Sequence, residues 1–308
     1  MKLLKHNIIA IALLSCTVGV AQQLPQFTQY MYNTISINPA YAGSREALSI
    51  VGLHRSQWVG FKGGPITQTL SIHTPLRNDR IGLGLSLIED DLGPQNFTYL
   101  YGDFSYSIPT GKDGKLAFGL KAGFTQFSFD ANFRLNEDNQ NDPLIYGTED
   151  RWAPNVGAGV YWSTDKIYAS LSAPRILNNS SNTNRDFEAL DDISYYFTAG
   201  GIFDLNKTFK FRPSVLIKAT NGAPVSYDLT SSFLYNEKVW LGGSYRINEL
   251  TAAIGGFAGF QISRQLLIGY AYEKPRSEIT DFTSGTHEII LMYEFKFLSS
   301  KLKSPRYF

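Results

Sequence analysis

The chain has a single cysteine, Cys16, in 308 residues, and it falls inside an N-terminal leader. Neither a disulfide framework nor thiolate chemistry is therefore available to the part that follows. No apolar run of about 18 residues occurs beyond the leader, so no membrane-crossing helix is predicted. An excess of either charge is also lacking. Against 28 Lys+Arg stand 27 Asp+Glu, which gives no electrostatic reason to expect nucleic acid. No linker, Pro-rich tract or charge block divides the chain, so it reads as one domain. Nucleophile-elbow and phosphate-loop motifs are absent. His54, His73 and His287 lie in or beside predicted strands without metal-ligand spacing, which favours structural or lumen-facing roles. No catalytic residue and no cofactor is expected.

The leader, residues 1–21, has the parts of a secretory signal. Lys2 and Lys5 supply charge, Ile8 to Ser15 the apolar stretch, and Gly19-Val20-Ala21 a small-residue cleavage site before Gln22. Leu13-Leu14-Ser15-Cys16 offers a lipoprotein site as the alternative, with Leu14 a poor fit. Residues 22–46 follow. Phe27, Tyr30, Met31, Tyr32, Ile35, Ile37 and Tyr41 carry too much apolar surface for a solvated linker. Asn38-Pro39 and Ala42-Gly43-Ser44 interrupt any regular element. This reads as an irregular segment that packs on the rest.

From Ala47 onward one theme repeats: about ten residues of alternating polarity, then a turn. Ile81, Leu83, Leu85 and Leu87 alternate with Gly82, Gly84 and Ser86, and Val156, Ala158, Val160 and Trp162 with Gly157, Gly159 and Tyr161. Side chains on a strand point to opposite faces in turn, so each segment has an apolar face and a polar or small one. The pattern predicts about 14 antiparallel strands over 47–297, many of the length that crosses a bilayer at a tilt. Short connections such as Pro109–Gly114 and Asn236-Glu237 alternate with longer ones: Trp58–Pro65, Glu89–Gln95, Ala131–Ala153, Pro174–Asp192 and Lys274–Gly285. Asn221–Pro224 and Asn248–Leu250 break the rule. The reading is an all-β transmembrane barrel of the outer membrane, with short periplasmic turns and longer outer loops. A soluble sandwich or propeller would also alternate. Strand length, loop alternation and nearly uncharged apolar faces weigh against it, and no blade repeat of about 40–50 residues appears.

An even strand number puts both ends of the barrel at the periplasm, and a barrel of this size has room to fill. Residues 22–46 are the expected plug, packed in or across the periplasmic mouth. Lys210, Arg212 and Lys218 share one strand face and are expected to pair with lumen carboxylates such as Asp228. Asp138, Gln140, Asp142 and Glu149 have calcium-loop spacing, but Pro143 occupies the position that needs glycine. A solvated acidic loop is the better reading.

Specific boxes carry a resemblance. Phe27-Thr28-Gln29-Tyr30-Met31, Asn38-Pro39-Ala40-Tyr41-Ala42-Gly43, Arg55 with Gln57-Trp58-Val59-Gly60, Gly64-Pro65 with Thr67, Gly82-Leu83-Gly84 with Leu92-Gly93-Pro94, and Ser304-Pro305-Arg306-Tyr307-Phe308 stand at both ends. With them the chain resembles the PorP/SprF family of Bacteroidota outer-membrane proteins, which accompany type IX secretion and gliding motility. Gly64 departs from the alanine expected there. The resemblance implies a non-enzymatic outer-membrane partner, exported by its signal peptide. Such a partner binds the C-terminal domain of a large secreted adhesin-like protein and helps secrete or anchor it at the cell surface. Periplasmic ring proteins of the machine are further implied partners, besides membrane lipid. The expected cargo-facing patch is Arg55, Gln57, Trp58, Gly60, Phe61, Gly64 and Pro65 with Asp91, Gly93 and Pro94. Trp58 has a second reading, as a belt residue at the membrane edge. The tail, 298–308, with its terminal box Ser304 to Phe308, would serve barrel assembly or ring docking. The alternative function is a channel or transporter for a hydrophobic or small polar solute.

Overall fold

Alternating polarity closes into a ring. The computed structural model describes residues 25–130, 151–177, 192–249 and 251–295. The strands are β1 (Leu48–Ser56), β2 (Ile66–Pro75), β3 (Ile81–Leu92), β4 (Gln95–Thr110), β5 (Gly114–Phe129), β6 (Arg151–Ser163) and β7 (Ile167–Ala173). Then come β8 (Ser194–Gly201, resumed after Ile202 as Phe203–Asp204), β9 (Phe209–Thr220), β10 (Ser226–Tyr235), β11 (Val239–Ile247), β12 (Ala252–Gln261), β13 (Leu266–Arg276) and β14 (Thr286–Phe295). Each pairs antiparallel with its sequence neighbours, and β1 pairs with β14, so no edge is left. Closure satisfies every strand edge within the ring, as a lipid-exposed wall requires.

The apolar face points out. Leu70, Leu85, Phe104, Leu120, Leu171, Leu229, Leu241 and Ile289 are exposed on the outer wall, and Leu120 is 63% exposed. On an isolated chain this is the face that lipid covers. The opposite face is buried although it points into the lumen. Ser49, Val51, Leu53 and Arg55 alternate along β1 in this way. Sequence and structure differ at one expected outer loop. Glu89–Gln95 is not a loop: β3 and β4 stay paired as far as Leu92 and Gln95, and Gly93-Pro94 is a tight hairpin with Gly93 at φ 59°. Thr67 Oγ1 donates to Asp90 at 2.6 Å, which holds the acidic stretch as strand. The leader, the Asp138–Glu149 spacing and the Ser304–Phe308 box lie outside the described residues.

Candidate functional site

Residues 25–47 occupy the lumen. Three short 3-10 turns, Tyr30–Tyr32, Thr34–Ser36 and Pro39–Tyr41, carry the chain, and most of its side chains are buried. Its contacts go round the ring. Asn33 Nδ2 donates to Thr69 Oγ1 of β2 (2.9 Å), Ser105 Oγ of β4 to Ala42 O (2.6 Å), and Asn38 Nδ2 to Val160 O of β6 (3.1 Å). Ser172 Oγ of β7 donates to Ile37 O (2.8 Å), Tyr30 Oη to Ser214 Oγ of β9 (3.2 Å), and Gln26 Nε2 to Asp228 Oδ2 of β10 (2.7 Å). Phe27, Tyr30, Met31, Tyr32 and Ile37 form one apolar cluster with inward residues including Leu216, Leu234, Trp240 and Ile290. Ile35, Ala40, Tyr41 and Ala42 form another with Ala117, Tyr161 and Tyr168.

The family boxes have local reasons. Asn38 caps the turn that starts at Pro39, with Oδ1 accepting from Ala40 N at 2.9 Å. Tyr41 sits edge-on to His73 and Tyr161, with centroids 5.4 and 5.3 Å away. Gly43 needs its φ of 73°, and its N donates to His73 Nδ1 at 3.1 Å. His73 is thus a buried strut, as its lumen-facing position in the sequence suggests.

The direction of the plug corrects the expectation. It does not merely close the periplasmic mouth. Thr28 N and Gln29 N donate to the two oxygens of Glu288 (2.6 and 3.2 Å), near the outer end of β14. Ala42 meets Ser105 and Gly82 near the periplasmic ends of β4 and β3. The segment therefore descends the lumen from its outer half to its base before entering β1.

Arg55 also leaves the expected patch. It is 2% exposed on the lumen face, 2.5 Å from Glu288 and 3.6 Å from Glu273. Arg246 completes the cluster, 2.6 Å from Asp228 and 3.2 Å from Glu273. Asp228 thus takes Arg246 and Gln26. Lys210 pairs with Asp204 and Glu237 instead, and Arg212 lies over the Trp240 ring at 4.2 Å. Lys218, buried on the same face, lies within electrostatic reach of Asp228.

The signal that sequence reading passed over is the alternating glycine. A Cβ at Gly119 would lie 2.0 Å from Ala40 N, at Gly82 2.1 Å from Ala42 O, at Gly159 2.2 Å from Asn38 Oδ1, and at Gly84 2.4 Å from Ile35 Cδ1. Glycine within a strand marks a close approach of another segment, and here that segment is the plug, by its backbone at Gly119 and Gly82 and by side chains at Gly159 and Gly84.

The remaining patch residues come together at the outer rim. Gln57 N donates to Pro65 O (2.8 Å), and Trp58 is edge-on to Phe61 with centroids 6.4 Å apart. Gly63 abuts Gly93, where an added Cβ would be 3.5 Å from Gly93 Cα, so the two predicted segments touch. Asp91, Gly93 and Pro94 form the hairpin end beside them, with Gly60, Gly64 and Pro65 on the first loop. A third loop, the expected outer connection Lys274–Gly285 but not among the expected patch residues, joins them. Val59 N donates to Gly285 O and Ser284 N to Val59 O, both at 2.8 Å. That loop presents Phe282, which is 69% exposed.

Register fixes the height of this patch. The outward row Gly52, Leu70, Leu87, Leu100, Phe124 is apolar or small. The next outward row toward the outer end is His54, Gln68, Glu89, Thr98, Gln126. The row beyond is Ser56, Ile66, Asp91, Asn96, Ser128. On β1 to β5, two mainly polar rows, about 13 Å of strand, separate the apolar belt from Phe61, whereas on the other side of β1 the row of His54 continues as Ile289 and Tyr270.

Comparison with known proteins agrees with this architecture. The chain is similar over 91% of its length to CymD, a monoaromatic hydrocarbon channel, at 12% identity and TM-score 0.50, covering 96% of that chain. It is also similar to the Pseudomonas putida toluene transporter TodX (9% identity, 87% of this chain and 94% of that one, TM-score 0.49). A third is the Acinetobacter baumannii outer membrane protein Omp33 (10% identity, 82% and 98%, TM-score 0.46). At such identities the likeness is one of fold. No curated protein matches the chain by sequence. Residues 19–293 match the family described as type IX secretion system membrane protein PorP/SprF. The filled outer-membrane barrel therefore belongs to the PorP/SprF family of type IX secretion membrane proteins.

Proposed function

We propose that this barrel is a non-enzymatic surface partner of the type IX secretion system. It binds the C-terminal domain of a large secreted, adhesin-like protein and helps secrete or anchor it. The observation that carries the reading is the outer ledge. Val59, Phe61, Leu92 and Phe282 are exposed at the rim. Val59, Phe61 and Leu92 stand beyond the polar rows of β1 to β5, which favours the contact reading of Trp58 and Phe61 over the belt reading. Aromatic side chains on a backbone-stitched platform are the kind of anchor that dominates protein interfaces. Arg55, held in the lumen, supports the β1 end of that platform from below and is not itself a contact.

The channel reading has a point against it, since the plug fills the lumen that a solute would use. The test is capture of the cargo's C-terminal domain by the full-length protein, purified gently from its own cells. The double variant Trp58→Ala, Phe61→Ala should weaken capture by roughly 30-fold or more, the effect of losing one strong anchor. Intact capture would move the patch off these loops. Purification of a lone barrel with bound solute would favour the channel.

A further inference from the structure

Two outer connections on one side of the mouth are short hairpins that end with the wall. β9 joins β10 through residues 221–225, and β11 joins β12 through residues 248–251. Ladder pairing continues to Lys218 and Ser226 in the first and to Ile247 and Ala252 in the second. Asn248 N then donates to Thr251 O at 2.9 Å, and Thr251 N to Asn248 Oδ1 at 2.6 Å.

Beneath these hairpins the lumen carries a level of charge. Asp228, Arg246, Glu273, Glu288 and Arg55 lie within three residues of the outer ends of β10, β11, β13, β14 and β1, joined to one another across the inside of the ring. Between them β12 offers Gly255, on which a Cβ would be 3.5 Å from Thr28 Cγ2. The chain is gripped at this level. Gln26 reaches Asp228, Thr28 Oγ1 donates to Glu273 at 3.1 Å, and Thr28 N to Glu288. Gln29 lies deeper, against Gly269, four residues further from the outer end of β13 than Glu273. Burial follows the same order: Gln29 and Phe27 are buried, whereas Pro25 and Gln26 are partly exposed. Further in, the two apolar clusters of plug and wall fill the lumen. A path from Pro25 back to the periplasm would have to share that space with the plug itself.

We propose that the chain enters the barrel from the cell-surface side. Pro25 stands at the outer mouth, under the hairpins of β9–β10 and β11–β12, and the ionic level below it is the port through which the plug passes. Whatever is joined ahead of Pro25 is then presented outside the membrane, one hairpin away from the loop that bears Phe282. A partner seated on the ledge, as proposed above, would meet it; the side of entry holds with or without that partner.

The test is the side from which a thiol at position 25 can be reached. The only natural cysteine, Cys16, lies in the leader, so the unsubstituted chain is the blank. Whole cells are treated with a membrane-impermeant maleimide. Pro25→Cys should be labelled about tenfold or more above the blank, like Lys62→Cys on the outer loop, since thiol reactivity follows access. Ser44→Cys, exposed at the base beside Asp79 and Arg80, and Lys112→Cys in a periplasmic turn should react only once the outer membrane is permeabilised. Reaction of Pro25→Cys only after permeabilisation, in step with Ser44→Cys, would overturn the proposal. A thiol at 25 that reacts in neither state, or a variant that fails to insert, is replaced by a short epitope inserted between Leu24 and Pro25. Antibody must find that epitope on whole cells, and detection in permeabilised cells alone would overturn the side of entry equally.

Discussion

A chain lacking residues 23–43 is expected to conduct small solutes that the intact barrel excludes. The deletion removes the side chains and backbone carbonyls that join β2, β4, β6, β7 and β9 across the lumen, and with them the plug half of both internal apolar clusters. Solute uptake, or single-channel current in a planar bilayer, reads the change. A milder route should give the same sign. Gly119→Val drives a branched side chain into the Ala40 backbone, where even a single Cβ would be 2.0 Å from the amide nitrogen. Overpacking of this kind costs about 1–3 kcal/mol, and here the plug is the partner free to move. Gly52→Val, at an outward position with nothing within 4 Å, should change neither conductance nor stability. A correctly inserted deletion with unchanged permeability would sink the plug.

The second large effect is expected at Glu288. Its carboxylate receives Arg55 at 2.5 Å and the backbone N–H groups of Thr28 and Gln29, with 1% of the residue exposed. Glu288→Ala leaves a buried guanidinium without its closest partner, a loss of about 3–5 kcal/mol. It also orphans two buried donors, each worth about 1–3 kcal/mol. Because the same carboxylate ties the wall to the top of the plug, destabilisation should be accompanied by proteolytic access to residues 25–35. The urea midpoint of unfolding and limited chymotrypsin digestion, which can cut after Phe27, Tyr30 and Tyr32, check both parts. Glu46→Ala is the control. Its pair with Lys115, 2.7 Å long, is about half exposed on both sides, so its loss should cost about 0–1 kcal/mol.

The wall was legible because lipid imposes a period of two that nothing else in the chain obscures. Leu83, Leu85 and Leu87 on one face of β3 needed no distant partner to be recognised. Residues 25–47 were legible as apolar and irregular, which pointed to packing. Their path was not. It is set by bonds such as Thr28 to Glu288, 260 residues apart in the sequence. Arg55 misled for a related reason. Its place near a loop suggested exposure, whereas the β1 alternation through Ser49, Val51 and Leu53 puts it on the lumen face. The glycines at 82, 84, 119 and 159 held the missing information, since their alternation marks the face on which something approaches closely. The loop bearing Phe282 had no such signal, because its union with Val59 joins residues more than 220 apart through backbone atoms and the Thr283 and Ser284 hydroxyls.

A cord lying inside a hoop has to be in place when the hoop is fastened. Tyr30, Tyr32 and Tyr41 are each at most 5% exposed inside the ring, packed on wall residues that run from His73 of β2 to Leu267 of β13. Glu288 and Arg55 face each other across the seam between β1 and β14. The carboxylate that holds the upper end of the cord is thus also the clasp of the hoop, so one side chain ties the plug to the wall and the wall to itself.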